Sequence, residues 1–380
     1  MDARIEALLA QHKLLTDVEP TIVQAPGRVN LLGEHTDYSG GFCMPAALSF
    51  NTLIAVSPRT DGVVRVRSVD FDQTAGVEIA TLPAKGAGEW KDYPVGVLWA
   101  LLQRGVAIAG ADLTLQGNVP LGSGLSSSAS VEVATATALL HVAGVTLTGA
   151  EIALLCQKAE NLYVGAPCGI MDQFISANGK KDHALALDTR SLSFELAPLP
   201  GTVRLVVSNS MVKHSIGGGE YGTRRAEVEA GAAALGVPML RDATLTDLQR
   251  KQSQMPDNVY RRARHVISDS QRVLDGVEAL RAGDVRLFGQ IMNEAHVSYR
   301  DDFEASCDEC DLLQTIALAL PGCFGARLTG GGFGGCTVNL VEAAASEAFA
   351  ASLAEKYHAA TGIKPDVYVC EIGDGAGVVA

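Results

Sequence analysis

The sequence predicts an α+β fold with two domains. Its 380 residues correspond to two or three domains of ordinary size. Strand-like and helix-like segments occur in both halves without the regular strand–helix alternation of a parallel α/β sheet, which favours the α+β class. The turn Asn178-Gly179 offers a boundary. We therefore predict an N-terminal domain over residues 1–178 and a C-terminal domain over residues 179–372.

Composition and charge exclude several classes of protein. Apolar residues make up 47% of the chain and charged residues 19%, which is typical of a globular protein and excludes a disordered one. The net charge of −13 disfavours binding to nucleic acid or to an anionic membrane. No segment approaches the ~18 consecutive apolar residues of a membrane span, and no secretory signal is visible. We expect a cytoplasmic protein.

The eight cysteines lie mostly among apolar or small residues, which is consistent with reduced thiols in the cytoplasm. Cys307 and Cys310 form a CxxC spacing inside an acidic helical pattern. Because no second pair accompanies it, this spacing is weak evidence for a zinc site.

The N-terminal half begins with an amphipathic helical pattern and continues with strand patterns separated by turns. We expect Asp61-Gly62 to form the turn of a hairpin. An Ala-rich helical pattern follows the last of these strands and ends at Gly144. The predicted strands cover residues 21–34, 42–59, 63–71 and 112–120, and the Ala-rich helix covers residues 131–144.

The next helix has a clear start and one unusual carboxylate. Thr148 and Glu151 form a T-x-x-E capping box. Apolar residues from Ile152 to Tyr163 then recur on one face. Glu160 lies about 80° from Ile152, at roughly 100° per residue, and so at the edge of this apolar stripe. A carboxylate beside a buried face needs a partner or a metal ion.

Strands and helices also mix in the C-terminal half, with no internal repeat or low-complexity linker. The predicted strands cover residues 183–196, 202–210, 322–329, 336–341 and 366–372. The predicted helices cover residues 220–235, 257–282, 284–298 and 343–360.

Residues 25–38 place Arg28, Glu34, His35 and Asp37 within ten residues between two strands. They could form an ordinary polar surface loop with a helix N-cap. Carboxylates and an imidazole, however, can make several hydrogen bonds each, and apolar residues and glycines flank them. The pattern favours a site for a polyhydroxylated ligand.

A second segment, residues 122–130, is rich in glycine and serine and lies between a strand and a helix. Small residues let the backbone approach a phosphate, and the N–H groups of a helix N-terminus attract anions. Serine hydroxyls can also ligate Mg²⁺. The segment has neither the lysine of a P-loop nor the third glycine of GxGxxG. Serine capping after a flexible turn is the alternative, but the pattern favours phosphate binding.

A third segment, residues 329–336, contains GxGxxG spacing at Gly330, Gly332 and Gly335. A strand pattern follows it instead of a helix, so the dinucleotide fingerprint fails its structural condition. We expect a tight turn whose backbone packs under another ligand or loop.

Asp172 lies among apolar neighbours in CGIMDQF, where desolvation raises a carboxyl pKa unless a cation compensates. Capping of a helix is the other interpretation. Lys213-His214-Ser215 and Glu220-Tyr221 follow a strand and could equally form a solvated loop.

Together, three segments resemble the GHMP kinase superfamily and, within it, the galactokinase family. GRVNLLGEHTDYSGG is similar to the galactokinase signature, PLGSGLSSSAS to the ATP-binding motif and LTGGGFGGC to the third motif. AENLYVGAPCGIMDQF, EYGTRRAEVE and AHVSYRDDFEASC are similar as well. The resemblance covers the chain from about residue 20 to its end.

The resemblance implies a GHMP kinase-like architecture with the active site in the cleft between two domains, and a return of residues 373–380 to the N-terminal domain. It implies transfer of the γ-phosphoryl group of ATP to the C1 hydroxyl of α-D-galactose, with Mg²⁺ as cofactor. A kinase for N-acetylgalactosamine, arabinose or another sugar is one alternative. A regulatory sensor that binds galactose and ATP is another. We expect a monomer.

The resemblance also implies residue roles. Asp172 is the catalytic acid residue and Arg28 its cationic partner. The sugar-binding positions are Glu34, His35, Thr36, Asp37, Gly169 and Tyr221. The ATP-binding positions are Gly122, Ser123, Gly124, Leu125, Ser126, Ser127 and Ser128, with Ser68 and Trp90 near the adenine. Ser128 and Glu160 match the Mg²⁺ ligands.

Overall fold

The computed structural model describes residues 3–213 and 220–379, which form two β-sheets with helices packed on and between them. His214 and Ser215 lie outside the described residues. The strands are β1 (Thr21–Leu32), β2 (Phe42–Pro58), β3 (Val63–Ser68), β4 (Gln73–Glu78), β5 (Ala111–Gly117), β6 (His183–Asp188), β7 (Phe194–Pro198), β8 (Val203–Lys213), β9 (Cys323–Thr329), β10 (Gly334–Glu342), β11 (Asp366–Cys370) and β12 (Gly377–Val378).

The predicted helices are present close to their expected bounds, whereas the helices at residues 92–103 and 245–250 were not predicted. Gly144 ends the Ala-rich helix with φ +64°, and the Thr148 hydroxyl accepts the Glu151 N–H at 3.2 Å. The helices are α1 (Ala3–His12), α2 (Asp92–Gln103), α3 (Ser127–Ala143), α4 (Gly149–Lys158), α5 (Met171–Asn178), α6 (Glu220–Leu235), α7 (Leu245–Arg250), α8 (Asp257–Arg281), α9 (Val285–Asp301), α10 (Asp308–Leu318) and α11 (Ser346–Thr361). Among the described residues, none of them combines the length and apolar content needed to cross a bilayer.

The first sheet has the order β12-β1-β2-β5-β3-β4, and the β6–β7 hairpin joins it through β2. The predicted hairpin at Asp61-Gly62 is wrong, because β5 lies between β2 and β3. The turn instead bonds to the segment before β5, where Gly62 N–H donates to the Ala109 carbonyl at 2.9 Å. Turn residues alone do not select the partner strand. The second sheet has the antiparallel order β11-β8-β10-β9.

The first sheet extends past the boundary that the sequence predicted near residue 178. Residues 187 and 188 of β6 pair with Cys43 and Phe42 of β2, so the sheet continues to Pro198. The turn after α5 leads into a strand that rejoins the same sheet. At the other end of the chain, Gly377 and Val378 pair with β1, so the described chain end lies on the first sheet.

Two apolar cores determine where the site lies. One lies between the first sheet and helices α2, α3 and α4. The other joins the two sheets with α8 and α9, and it includes Leu31 and Leu32 at the end of β1. The Thr329 hydroxyl bonds both the Asn30 N–H and the Asn30 carbonyl, at 2.8 and 3.0 Å, and ties β1 to the end of β9. Residues 33–37 are therefore held where the two sheets meet.

Candidate active site

The centre of the site is an ion pair between Arg28 on β1 and Asp172 in the first turn of α5. Arg28 Nε and Nη2 donate to the two Asp172 carboxylate oxygens at 2.8 and 2.6 Å. The Arg28 side chain is buried, whereas that of Asp172 is 28% exposed. Arg28 also donates to the Gly124 carbonyl, and the Ser126 hydroxyl donates to Asp172. This carboxylate thus connects β1, α5 and the glycine–serine loop.

The glycine–serine loop, residues 122–126, turns sharply into the N-terminus of α3. Gly122 and Gly124 have φ values of +65° and +83°, which favour glycine. Ser126 takes φ +60° directly before the helix begins. The start of this long helix attracts anions through its dipole and its N–H groups.

Side chains of the loop fall into two groups. Ser123 and Leu125 are buried, and the Ser123 hydroxyl donates to the Pro120 carbonyl at 2.7 Å. These two predicted ATP-binding positions can therefore offer a ligand only their backbone. Ser127 and Ser128 are the first residues of α3 and are only partly buried.

The third glycine segment packs against this loop. A Cβ on Gly330 would lie 3.3 Å from the Gly124 carbonyl oxygen, and one on Gly335 would lie 3.3 Å from that of Ser123. The strand β10 follows instead of a helix. The prediction of a tight turn packed under another loop is confirmed.

A cavity of about 190 Å³ opens beside the ion pair. Seven of the residues predicted to bind the sugar or to catalyse the reaction line this cavity. Its lining consists of Arg28, Glu34, His35, Asp37, Pro167, Cys168, Gly169, Met171, Asp172, Tyr221, Gly330 and Gly331. Thr36 is not in it: this side chain is fully buried, and its hydroxyl donates to backbone carbonyls of Gly33 and Phe42. The Thr36 hydroxyl therefore shapes the loop, and a ligand contact by Thr36 stays a prediction.

Glu34 is a buried carboxylate held by a buried cation. Its Oε1 accepts the Gly330 N–H at 2.8 Å. Burial raises the pKa of Glu34 to about 7, against the lowering effect of Arg327 and Arg28. Arg327 is fully buried, 4.0 Å from Glu34 and 3.9 Å from Asp269. Asp269 in turn accepts the N–H groups of Gly33 and Glu34 at 3.0 and 2.9 Å.

Asp37 lies directly over Gly169. A Cβ at Gly169 would lie only 1.6 Å from Asp37 Oδ2. The same oxygen accepts the Met171 N–H at 3.4 Å. Burial and the nearby Asp172 raise the pKa of Asp37 to about 6. Glycine at 169 is therefore required by the position of a carboxylate.

His35 is neutral and already bonded on both sides of its ring. Burial lowers the pKa of His35 to about 3. Its Nδ1 and Nε2 lie 2.9 and 3.1 Å from the hydroxyls of Tyr38 and Tyr299. The rings of Tyr221 and Phe303 pack against it, with centroids 5.1 and 4.4 Å away. The imidazole therefore orders the wall of the cavity.

Glu160 occupies a backbone feature that the sequence did not predict. The α-helix ends at Lys158, and residues Ala159–Val164 form a π-helical turn. The 3.6-residue periodicity used to place Glu160 at the stripe edge does not hold there. The side chain is buried instead of marginal, at 7% exposure. Wide turns of this kind occur often at functional sites.

Ser128 and Glu160 meet beside a second buried carboxylate. Burial and Asp172 raise the pKa of Glu160, whereas the nearby Ser128 hydroxyl lowers it. Gln173 Nε2 donates to both Glu160 and Glu132, at 2.5 and 3.1 Å. Glu132 is fully buried, and its second oxygen has no partner.

These donors fit Mg²⁺, which prefers hydroxyl and carboxylate oxygens and keeps positions for phosphates and water. Two buried carboxyl groups side by side, one of them with an unpartnered oxygen, also favour a cation. Among residues 3–213 and 220–379, no group of three or more His, Cys, Asp or Glu side chains is arranged to hold a metal. A cation here would therefore need ligands from a bound nucleotide or water as well.

Ser68 and Trp90 lie beside the turn between β3 and β4 of the first sheet. Strands β3 and β5 are parallel, so Ser68 at the end of β3 lies beside Leu115, just before the chain enters the glycine–serine loop. Trp90 Nε1 donates to Gln73, and its ring lies 6.1 Å from that of Phe71, which is 48% exposed. An aromatic surface thus lies at the end of β5 that leads to the loop.

Three family models match the chain. The galactokinase galactose-binding signature matches residues 10–58, the GHMP kinases N terminal domain matches residues 92–180, and the GHMP kinases C terminal model matches residues 277–359. A galactokinase of Roseiflexus sp. (strain RS-1) is 45% identical over 363 residues, which are 94% of this chain and 93% of that protein. The chain belongs to the galactokinase family. The family predicted from the three segments is confirmed.

Solved structures of a galactokinase and of a mevalonate kinase share the fold of this chain. The crystal structure of Lactococcus lactis galactokinase complexed with galactose matches with a TM-score of 0.95 and 29% identity, over 99% of this chain and 100% of that one. Methanococcus jannaschii mevalonate kinase matches with a TM-score of 0.66 and 17% identity, over 93% and 99% of the two chains, which shows a shared fold alone. The predicted two-domain α+β class is confirmed.

Sequence reasoning missed several residues that support this galactokinase-family site. Glu132 and Arg327 each stand alone among apolar residues, in VEVATATALL and GCFGARLT. A charge in a buried pattern needs a partner, as at Glu160, and this signal is present at both positions. Asp269 lies in mixed polar sequence, and Gln173 carries no charge, so neither gave such a signal.

Proposed function

We propose that the protein transfers the γ-phosphoryl group of ATP to the C1 hydroxyl of α-D-galactose. The observation that carries this proposal is the Arg28–Asp172 pair, which joins a cavity lined by carboxylates to the glycine–serine loop. A nucleophile bound in the cavity and a phosphate bound at the loop would meet at Asp172.

Asp172 is placed to accept the proton of the sugar hydroxyl during transfer. Arg28 holds both carboxylate oxygens of Asp172, which fixes their orientation. The Ser126 hydroxyl bonds the same carboxylate from the loop side. The buried Arg28 charge also lies where it stabilises negative charge on the transferring group.

Sugar orientation is assigned to the carboxylates of the cavity. Glu34 and Asp37 accept hydroxyl hydrogen bonds, and each is fixed by its own backbone donors. Asp37 lies close enough to Asp172 for the negative charge of Asp172 to raise the pKa of Asp37. A sugar that bonds Asp37 through ring hydroxyls therefore places a neighbouring hydroxyl near Asp172.

The nucleotide is assigned to the loop, the start of α3 and the aromatic surface of Trp90. Loop amides and the helix dipole hold phosphates, and Ser68 and Trp90 lie toward the base. Ser128 and Glu160 would hold Mg²⁺, which neutralises the β- and γ-phosphates when bound. Gln173 holds the Glu160 carboxylate in place by an amide hydrogen bond.

Replacing Glu160 by Gln is expected to weaken the Mg²⁺ site. The amide keeps the shape but loses the charge that balances a cation in a buried position. We expect a higher Mg²⁺ concentration for half-maximal rate and a smaller change in galactose KM. Glu229→Gln, which alters an exposed ion pair with Arg225, is the control. Identical Mg²⁺ titrations of the Glu160 variant and the wild type would contradict the metal assignment.

Galactose KM is expected to depend on pH. Burial raises the pKa of Glu34 to about 7 and that of Asp37 to about 6. Both must be ionised to accept two hydroxyl hydrogen bonds, so galactose KM should rise as the pH falls from 7.5 to 5.5. Steady-state kinetics across this range, with ATP KM as the reference, measures the effect. A galactose KM that is flat while kcat changes would contradict ligand contacts by these carboxylates.

The proposal is tested by coupled ADP release with purified protein and a panel of hexoses, pentoses and N-acetylgalactosamine. We expect galactose to give the highest kcat/KM. A higher value for another sugar would assign the protein to a related sugar kinase. Galactose and ATP binding without ADP release would support a sensor. The intact Arg28, Asp172 and serine loop favour turnover.

A further inference from the structure

Cys307 and Cys310 lie outside the active site, and the proposed reaction makes no use of them. Cys307 is the N-cap of α10, and Cys310 is the third residue of that helix. Side chains at these two positions can meet: at α4 and α7 they are hydrogen-bonded to each other, hydroxyl to carboxylate, at 2.9 and 2.6 Å. Cys307 and Cys310 occupy this same pair of positions on the first turn of α10, and each thiol shifts the pKa of the other.

The two thiols differ in environment. Cys310 is fully buried, whereas Cys307 is half-buried. The neighbouring Cys310 thiol lowers the pKa of Cys307 to about 7. The Cys307 thiol, together with burial, raises the pKa of Cys310 well above its usual value. A partly exposed, thiolate-forming cysteine beside a buried one is the arrangement of an attacking and a resolving thiol.

We propose that Cys307 and Cys310 form a reversible dithiol–disulfide site that reacts with small-molecule disulfides such as oxidised glutathione. The Cys307 thiolate attacks one sulfur of the disulfide and releases the other half as a thiolate. Cys310 Sγ then attacks Cys307 Sγ and releases the second half. The two protons of the protein thiols end on the two released thiols. The protein loses two electrons and the small disulfide gains two.

Formation of the mixed disulfide at Cys307 favours the second step, the attack by Cys310. Once Cys307 is in the mixed disulfide, it no longer carries a negative charge beside the Cys310 thiol. The largest cause of the raised Cys310 pKa is then removed, and Cys310 can ionise and attack.

The segment before this dithiol supports the sugar side of the cavity. The Ala305 carbonyl accepts the Phe333 N–H at 2.7 Å, and a Cβ on Gly332 would lie 2.5 Å from the same oxygen. The Phe303 ring packs on His35. A disulfide draws Cys307 toward Cys310. Because Cys307 is two residues after Ala305, this displaces the backbone next to Ala305. This part rests on the proposed function, under which oxidation is expected to raise galactose KM more than ATP KM.

The test treats reduced protein with oxidised glutathione, blocks the remaining thiols with iodoacetamide and maps the peptides by mass spectrometry. We expect a disulfide between Cys307 and Cys310 that dithiothreitol removes. In Cys310→Ser, a glutathione adduct should accumulate on Cys307 at least about tenfold faster than on Cys323. Cys323 is also half-buried, but its pKa is raised to about 12. Cys323→Ser, the matched control, should form the disulfide as the wild type does.

Two results would overturn the thiol chemistry: a wild-type protein that keeps both thiols, or equal reactivity of Cys307 and Cys323. Galactose and ATP kinetics on the reduced and oxidised samples test the link to the sugar site. An oxidised protein with unchanged galactose KM would overturn that link. Absence of galactose phosphorylation in both samples would contradict the proposed function, while the peptide map alone decides the thiol chemistry.

Discussion

Replacing Asp172 by Asn is expected to lower kcat about 10²–10⁴-fold, the usual range for loss of a general base. The amide keeps the size of the carboxylate but cannot accept the proton of the C1 hydroxyl. Arg28 bonds both oxygens, at 2.8 and 2.6 Å, so one of these contacts would become donor against donor. Steady-state kinetics with galactose and MgATP measures the loss, and calorimetry with galactose should show binding largely kept.

The matched control is Asp242→Asn. Asp242 also pairs with an arginine, Arg190, at 2.8 and 3.0 Å, but it does not line the cavity. The kcat of the Asp242→Asn variant should equal that of the wild type. A near-wild-type kcat in the Asp172 variant would show that this carboxylate is not the proton acceptor.

Replacing Gly169 by Ala is expected to raise galactose KM at least about tenfold, which corresponds to ~1.4 kcal/mol. The added Cβ would lie 1.6 Å from Asp37 Oδ2, so the carboxylate must move away from its place in the cavity. A lost hydrogen bond to a charged group costs roughly 1.5–3 kcal/mol. ATP KM should stay near the wild-type value, because the glycine–serine loop is untouched.

Asp37→Ala removes the same carboxylate directly and should give a similar galactose KM. It should also reduce the preference for galactose over its C4 epimer glucose, since a site built to bond one hydroxyl rejects the epimer. Gly201→Ala, where an added Cβ meets nothing within 4 Å, is the control for a glycine substitution as such. Wild-type galactose KM in both Gly169→Ala and Asp37→Ala would place the sugar elsewhere.

Local signals predicted most of the elements. The capping box at Thr148 and the C-cap at Gly144 fix two helix ends within a few residues, and both are confirmed. The cluster from Glu34 to Asp37 and the glycine–serine loop were found because polar and small residues concentrate in short segments. Such signals depend on neighbours in sequence, and they hold where local structure is set by those neighbours.

Contacts between distant segments could not be predicted in the same way. Arg327 lies beside Glu34 and Asp269 only because β9 packs on the end of β1. Thr36 lies in a polar segment that is typical of a ligand site, but in the fold its hydroxyl donates hydrogen bonds to two backbone carbonyls. The π-helical turn at Glu160 breaks a periodicity that the sequence displays without interruption. Each of these depends on packing that the local pattern does not encode.

Transfer of the phosphoryl group to the C1 hydroxyl is tested most directly by phosphorus NMR of the product that the purified protein forms from D-galactose and MgATP. We predict one sugar phosphate, α-D-galactose 1-phosphate, formed in equal amount to ADP. A phosphate on another hydroxyl, or ADP with inorganic phosphate and no sugar phosphate, would contradict the assignment of Asp172 to the C1 hydroxyl.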